Sequence, residues 1–163
     1  MRQQGSHLRH SDAPPVASSA SLDGPLQRDP KWRAYRDECE VALASFERAK
    51  EWADLVGDLQ RLQRVLNKYA QLPSVPDTVL FGKRLCQCLN PALPPGVHLK
   101  TLETYELIFE RIGSRRLARD LGYYSEGIFP LYRQASYQVS KYRRLLDVST
   151  LIITLIITLI PLA

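Results

Sequence analysis

The sequence predicts an all-α fold: a short α-solenoid-like stack of paired helices, with a disordered N-terminal tail and an apolar C-terminal tail. Three observations predict it. Apolar residues recur at helical spacing from Trp32 to Ile112. Prolines stand between those runs, at Pro73, Pro76, Pro91, Pro94 and Pro95, where each forbids continuation of a helix. No stretch before residue 145 alternates with period two over a strand's length.

Residues 1–28 are rich in Ser, Pro and Gly with scattered Arg, and too poor in apolar side chains to offset chain entropy. A disordered tail is expected there. No apolar run follows Arg2, so no signal peptide is expected. His7 and His10 form no more than a thin metal tract.

The helical domain is expected over 29–132. Asp29-Pro30 reads as a helix start, with Asp as the cap and Pro at the first helical position. Trp32, Tyr35, Cys39, Ala42, Leu43 and Phe46 then mark one face. The second helix carries Trp52, Leu55, Val56, Leu59, Leu62, Leu66 and Tyr69 on its buried side. Asp54, Asp58, Arg61, Arg64 and Lys68 fall outside or on its flanks. Asp77 caps a third helix from Thr78 to about Leu89, with Leu85, Cys86 and Leu89 on its apolar face. Pro91, Pro94, Pro95 and Gly96 form a structural corner that leads to His98. Thr101, Leu102, Tyr105, Ile108, Phe109 and Ile112 continue the apolar stripe from His98, opposite Glu103, Glu106 and Glu110. Gly113 is placed to end this helix in a left-handed turn, and Ser114 to cap the next. That fifth helix is expected to be short, weakened by Gly122 and Gly127 and interrupted at Pro130. Short loops joining such pairs suit a stack in which each pair buries a face against the next.

Residues 133–163 change character. Arg133, Lys141, Arg143 and Arg144 precede VSTLIITLIITLIPLA, sixteen residues without a charge. The run is shorter than the ~20 residues that a spanning helix needs. A basic flank before an apolar end fits a tail anchor by the positive-inside logic. The other reading is a truncated end with no evolved role.

Composition narrows the function classes. The formal net charge is +5 and hydrophobic residues make up 45%, which suits a packed core and acidic partners or surfaces. No basic run interleaves with aromatics, so no nucleic-acid partner is expected. Cys39, Cys86 and Cys88 are too few for a disulfide framework, which points to a reducing compartment. Cys86 and Cys88 lie two apart on a helix and face different ways, so no metal site is expected. No Gly-rich phosphate loop or HExxH motif occurs, so no cofactor is expected either. His98 has no nucleophile or acid at a recognisable spacing and reads as a core or corner histidine. Arg111, Arg115, Arg116 and Arg119 are the candidate contact for anionic lipid or for a partner, near a helix N-terminus. The plainer reading, and the preferred one, is a solvated face paired with Asp120 and Glu110.

Ordered blocks of residues carry a resemblance: Glu51-Trp52-Ala53-Asp54-Leu55, Gly82-Lys83-Arg84-Leu85, Gln87-Cys88-Leu89, Pro91-Ala92-Leu93-Pro94, Gly96-Val97-His98, Leu102-Glu103-Thr104-Tyr105-Glu106, Ile112-Gly113 and Arg116-Leu117-Ala118-Arg119-Asp120-Leu121. Tyr124-Ser125, Gly127 and Phe129-Pro130-Leu131 continue it. Over roughly 32–131 the chain resembles the N-terminal domain of the Dopey family. The resemblance implies a non-enzymatic scaffold in Golgi–endosome membrane trafficking and protein transport. It implies a cytosolic location, peripheral on Golgi, trans-Golgi and endosome membranes. The implied partners are a large Arf-exchange-factor-like Golgi protein, kinesin light chain and anionic phosphoinositide membrane. The family brings no catalytic residues. The pattern fades after Leu131, so a fragment or short isoform is expected. A small tail-anchored helical protein is the alternative.

Overall fold

The computed structural model describes residue 24 and residues 26–137, with side chains as far as Leu131. The expected N-terminal tail, 1–28, lies outside the described residues except at 24 and 26–28, and the expected C-terminal segment, 133–163, except at 133–137. A single 3₁₀ turn (Leu26–Arg28) leads into α1 (Pro30–Ser45), α2 (Trp52–Lys68), α3 (Thr78–Cys88) and α4 (Pro95–Tyr137). The described residues contain no strand.

The helix starts follow from local chemistry. The Asp29 carboxylate accepts from the Lys31 backbone N–H at 2.8 Å, and Pro30 takes the first position, where no N–H is needed. Asp77 caps α3 by accepting from the Leu80 N–H at 2.9 Å. At α2 the cap is reciprocal: Asp54, in the first turn, reaches back to the N–H groups of Lys50 at 3.0 Å and Glu51 at 3.1 Å. Those bonds hold the Asp54 carboxyl below its ordinary range. A carboxyl depressed by folding lends stability that is present above the ordinary range and is lost as pH falls through the lowered value. Asp54→Ala is therefore expected to lower the urea midpoint at neutral pH. The gap from the unsubstituted chain should close on acidification, as urea titrations at a series of pH values would show.

α1 and α2 run antiparallel, with Glu38 bound to Lys68 at 2.6 Å and to the Tyr69 hydroxyl at 2.7 Å. Leu59, Leu62 and Leu66 are fully buried, as their stripe requires. Trp52, expected on the buried side, is instead 56% exposed. It opens α2 where the chain has just left α1. Burial grows along the helix, through half-buried Leu55 and Val56 to Leu59. Asp58, expected outside, is buried and held by Arg61 at 3.0 Å. On α3, Cys88 rather than Cys86 sits in the core.

The corner between α3 and α4 is ordered by Asn90. Its side chain accepts from the Ala92 N–H at 2.9 Å and its carbonyl accepts from the Leu93 N–H at 2.9 Å. The same carbonyl meets His98 Nε2 at 2.8 Å. A carbonyl can only accept, so Nε2 carries the proton. His98 is 1% exposed, as expected, and its Nδ1 has no partner. His98→Asp would strand a buried acidic group against the Asn90 carbonyl. The expected cost is about 1–3 kcal/mol or more, visible as a lower melting temperature.

Gly113 breaks α4 into two limbs, 95–112 and 114–137. Its φ of 68° and ψ of 175° lie where essentially only glycine is comfortable. A straight helix would hold residues 105 and 124 about 28 Å apart, yet the Tyr105 and Tyr124 rings lie 6.0 Å apart and Phe109 and Tyr124 5.3 Å apart. The chain therefore doubles back at Gly113. The first limb packs on α2, where Gln63 donates to the Lys100 carbonyl at 3.3 Å and to the Thr104 hydroxyl at 3.1 Å. The second limb packs on α3. It is neither short nor interrupted: it runs through Gly122, Gly127 and Pro130 to Tyr137. Burial of Tyr124, Ile128 and Leu131 outweighs the poor local propensity.

Candidate functional site

The four arginines singled out by charge do not form one site. Arg111 belongs to the first limb of α4 and turns inward. Its Nη1 donates to the Tyr35 hydroxyl at 2.8 Å and its Nη2 to the Leu66 carbonyl, with the guanidinium carbon 5.6 Å from the centre of the Tyr35 ring. Arg111 is half-buried and ties α4 to α1 and α2. The reversal at Gly113 separates it from Arg115, Arg116 and Arg119. Arg115 is exposed and Arg116 half-buried. Arg119 grips both oxygens of Asp120 at 2.6 Å, and Asp120 also lies 3.4 Å from the Thr78 hydroxyl. The expected pairing with Asp120 is therefore present at Arg119.

The corner residues Pro91, Pro94, Pro95, Gly96 and His98 shape the turn into α4. Other polar groups that might carry chemistry serve packing. Arg84, buried on α3, donates to Glu47 beyond the end of α1 and to Gln87 at 3.2 Å. Burial pushes the Cys39 and Cys88 thiols up to about 12, so neither offers a thiolate at neutral pH. Burial likewise holds the Tyr105 phenol well above its ordinary range. Among the described residues no group of three or more His, Cys, Asp or Glu side chains could hold a metal.

What the sequence did not reveal is a cleft of about 760 Å³ where α1, the start of α3 and the second limb of α4 meet. Trp32 and Val75 line it, each 5% exposed. Val79 and Tyr123 also line it and are the open part of its apolar surface, at 55% and 48% exposed. Arg36 reaches it from α1 and Arg119 from α4. The one hint in the sequence was Arg36 itself, one turn beyond Trp32 on the edge of the first apolar stripe.

The geometry defines a layered all-helical domain with a cleft between α1, α3 and the second limb of α4, and an internal use for most of its described buried polar side chains. The family model described as "Dopey, N-terminal" matches residues 29–163. Protein DOP1B of Xenopus laevis is 48% identical over 114 residues, which cover 70% of this chain and 5% of that protein. Protein pad-1 of Caenorhabditis elegans is 43% identical over 126 residues, 76% of this chain and 5% of that protein. Protein DOP1 of Saccharomyces cerevisiae is 39% identical over 118 residues, 69% of this chain and 7% of that protein. No solved structure matches the chain. The chain belongs to the Dopey family and carries its N-terminal domain. The family match continues to residue 163, past Leu131, where the recognisable blocks of sequence end.

Proposed function

We propose that the chain is a non-enzymatic scaffold segment serving membrane trafficking between Golgi and endosomes. Membership of the Dopey family carries this reading. The internal use of Arg84, Arg111 and His98 agrees with it, because these groups hold helices together rather than face a substrate. On this reading the domain offers protein-binding surface at a Golgi or endosome membrane. A large Arf-exchange-factor-like protein and kinesin light chain are the proposed partners, and contact with anionic membrane is secondary. Among the described residues no helix is long and apolar enough to cross a membrane.

Imaging a fluorescently tagged full chain against Golgi and endosome markers, beside a version lacking residues 148–163, tests the reading. Recruitment by partners keeps both on the organelles. Loss of the shorter version alone to the cytosol would assign the tail as a tether instead. Diffuse distribution of both would overturn the trafficking assignment.

A further inference from the structure

We propose that the cleft between α1, α3 and the second limb of α4 docks an acidic peptide segment that carries a large apolar side chain. The proposal rests on the scaffold reading only in taking the occupant to be protein. Its exposed apolar surface comes from Val79 and Tyr123. Both are large, both are about half exposed, and they lie beside recessed Trp32 and Val75. A cleft of about 760 Å³ falls within the range of pockets that enclose a ligand, ~300–1,000 Å³. It has room for a bulky side chain together with its backbone.

The charge of the occupant follows from the walls. Among the described residues that line the cleft, Arg36 and Arg119 come from two helices and Asp120 is the one carboxylate. Asp120 is already engaged by Arg119 and Thr78. Arg36 touches Asp37 at 3.1 Å, but both side chains are more than half exposed and adjacent in sequence. Such a pair holds its partner weakly. Positive potential over an apolar floor attracts glutamate or aspartate flanking an apolar anchor. Because the floor is recessed between helices, a projecting peptide side chain reaches it and a flat bilayer does not.

The test uses the full 163-residue chain and a fluorescein-labelled peptide with a Leu-Phe pair flanked by glutamates. The same peptide with lysines in place of the glutamates is the control, and binding is read by anisotropy. The glutamate peptide should bind in a salt-sensitive way and the lysine peptide should not. Arg36→Glu and Val79→Ser alter exposed side chains, so circular dichroism should be unchanged. Each should weaken binding about tenfold or more. Arg64→Glu makes the same charge change on an exposed site of α2 and should leave affinity unaltered. No binding of the glutamate peptide at millimolar concentration overturns the proposal. So does equal weakening by Arg64→Glu, which would report net charge alone. Sedimentation with phosphatidylserine vesicles but no binding of the peptide would assign the basic rim to membranes and also overturn it. Peptide binding by a chain that stays diffuse in cells would keep the cleft and discard the trafficking reading.

Discussion

Gly82→Ala is expected to destabilise the domain even though alanine is the better helix former. A Cβ built on Gly82 would lie 2.5 Å from the Tyr123 carbonyl oxygen and 3.1 Å from its carbonyl carbon. The obstacle is backbone in the middle of a helix, so no side-chain rotation relieves it. The two helices cannot simply slide apart, because Gly127 rests against Cys86 and Leu89, where a Cβ would already meet atoms at 3.0 Å. Overpacking of this kind costs about 1–3 kcal/mol and occasionally more, against a propensity gain of up to about 1 kcal/mol. A net loss of about 2 kcal/mol is expected for alanine, and more for leucine. Each kcal/mol moves the melting temperature of a domain this size by about 4–8 °C. Gly57→Ala supplies the contrast. It lies within α2 with nothing within 4 Å of a Cβ, so alanine should stabilise by about 0.5–1 kcal/mol. Paired thermal melts decide the matter: if Gly82→Ala melts higher, as Gly57→Ala should, the contact between α3 and α4 is not as close as described.

That pair of glycines shows where a sequence is legible and where it is not. Helix starts at Asp29-Pro30 and Asp77, the buried run Leu59, Leu62 and Leu66, and the reversal at Gly113 are set by neighbours in the chain. Spacing and capping chemistry therefore reveal them. The buried corner histidine follows in the same way, since His98 stands on the stripe that Leu102 and Tyr105 continue. Gly127 reads as a helix weakener, and Gly82 draws no structural reading, because local propensity is all that a linear reading can weigh. Their use lies in contacts with residues about 40 positions away. Trp52 failed for a related reason: its position in the stripe was right, but the helix outruns the neighbour that would cover it. The cleft was invisible because Arg36, Val79 and Tyr123 reach one surface from three separate helices, and no spacing rule links them.

Arg111 is the largest misreading that charge patterning produced, and its replacement should have the largest effect. On its own helix it joins a basic group and looks solvated. In the fold its donors meet the Tyr35 hydroxyl on α1 and the Leu66 carbonyl near the end of α2. Arg111→Met keeps much of the stem and removes the donors, leaving those two oxygens without the guanidinium. Hydrogen bonds to a charged group contribute about 1.5–3 kcal/mol each, and the stacking on Tyr35 adds about 0.5–1 kcal/mol. The cost of desolvating the guanidinium, recovered in the variant, offsets part of this. A net loss of about 3 kcal/mol is expected, a fall in melting temperature of more than about 10 °C. Arg111→Lys should rescue little, because a single ammonium cannot span both acceptors as the planar fork does. A double-mutant cycle with Tyr35→Phe separates this tie from general damage to the core, with a coupling of about 0.5–3 kcal/mol expected between residues in direct contact. If Arg111→Met unfolds within about 0.5 kcal/mol of the unsubstituted chain, the range of an ordinary surface change, the guanidinium faces solvent. Arg111 would then return to the basic face with Arg115.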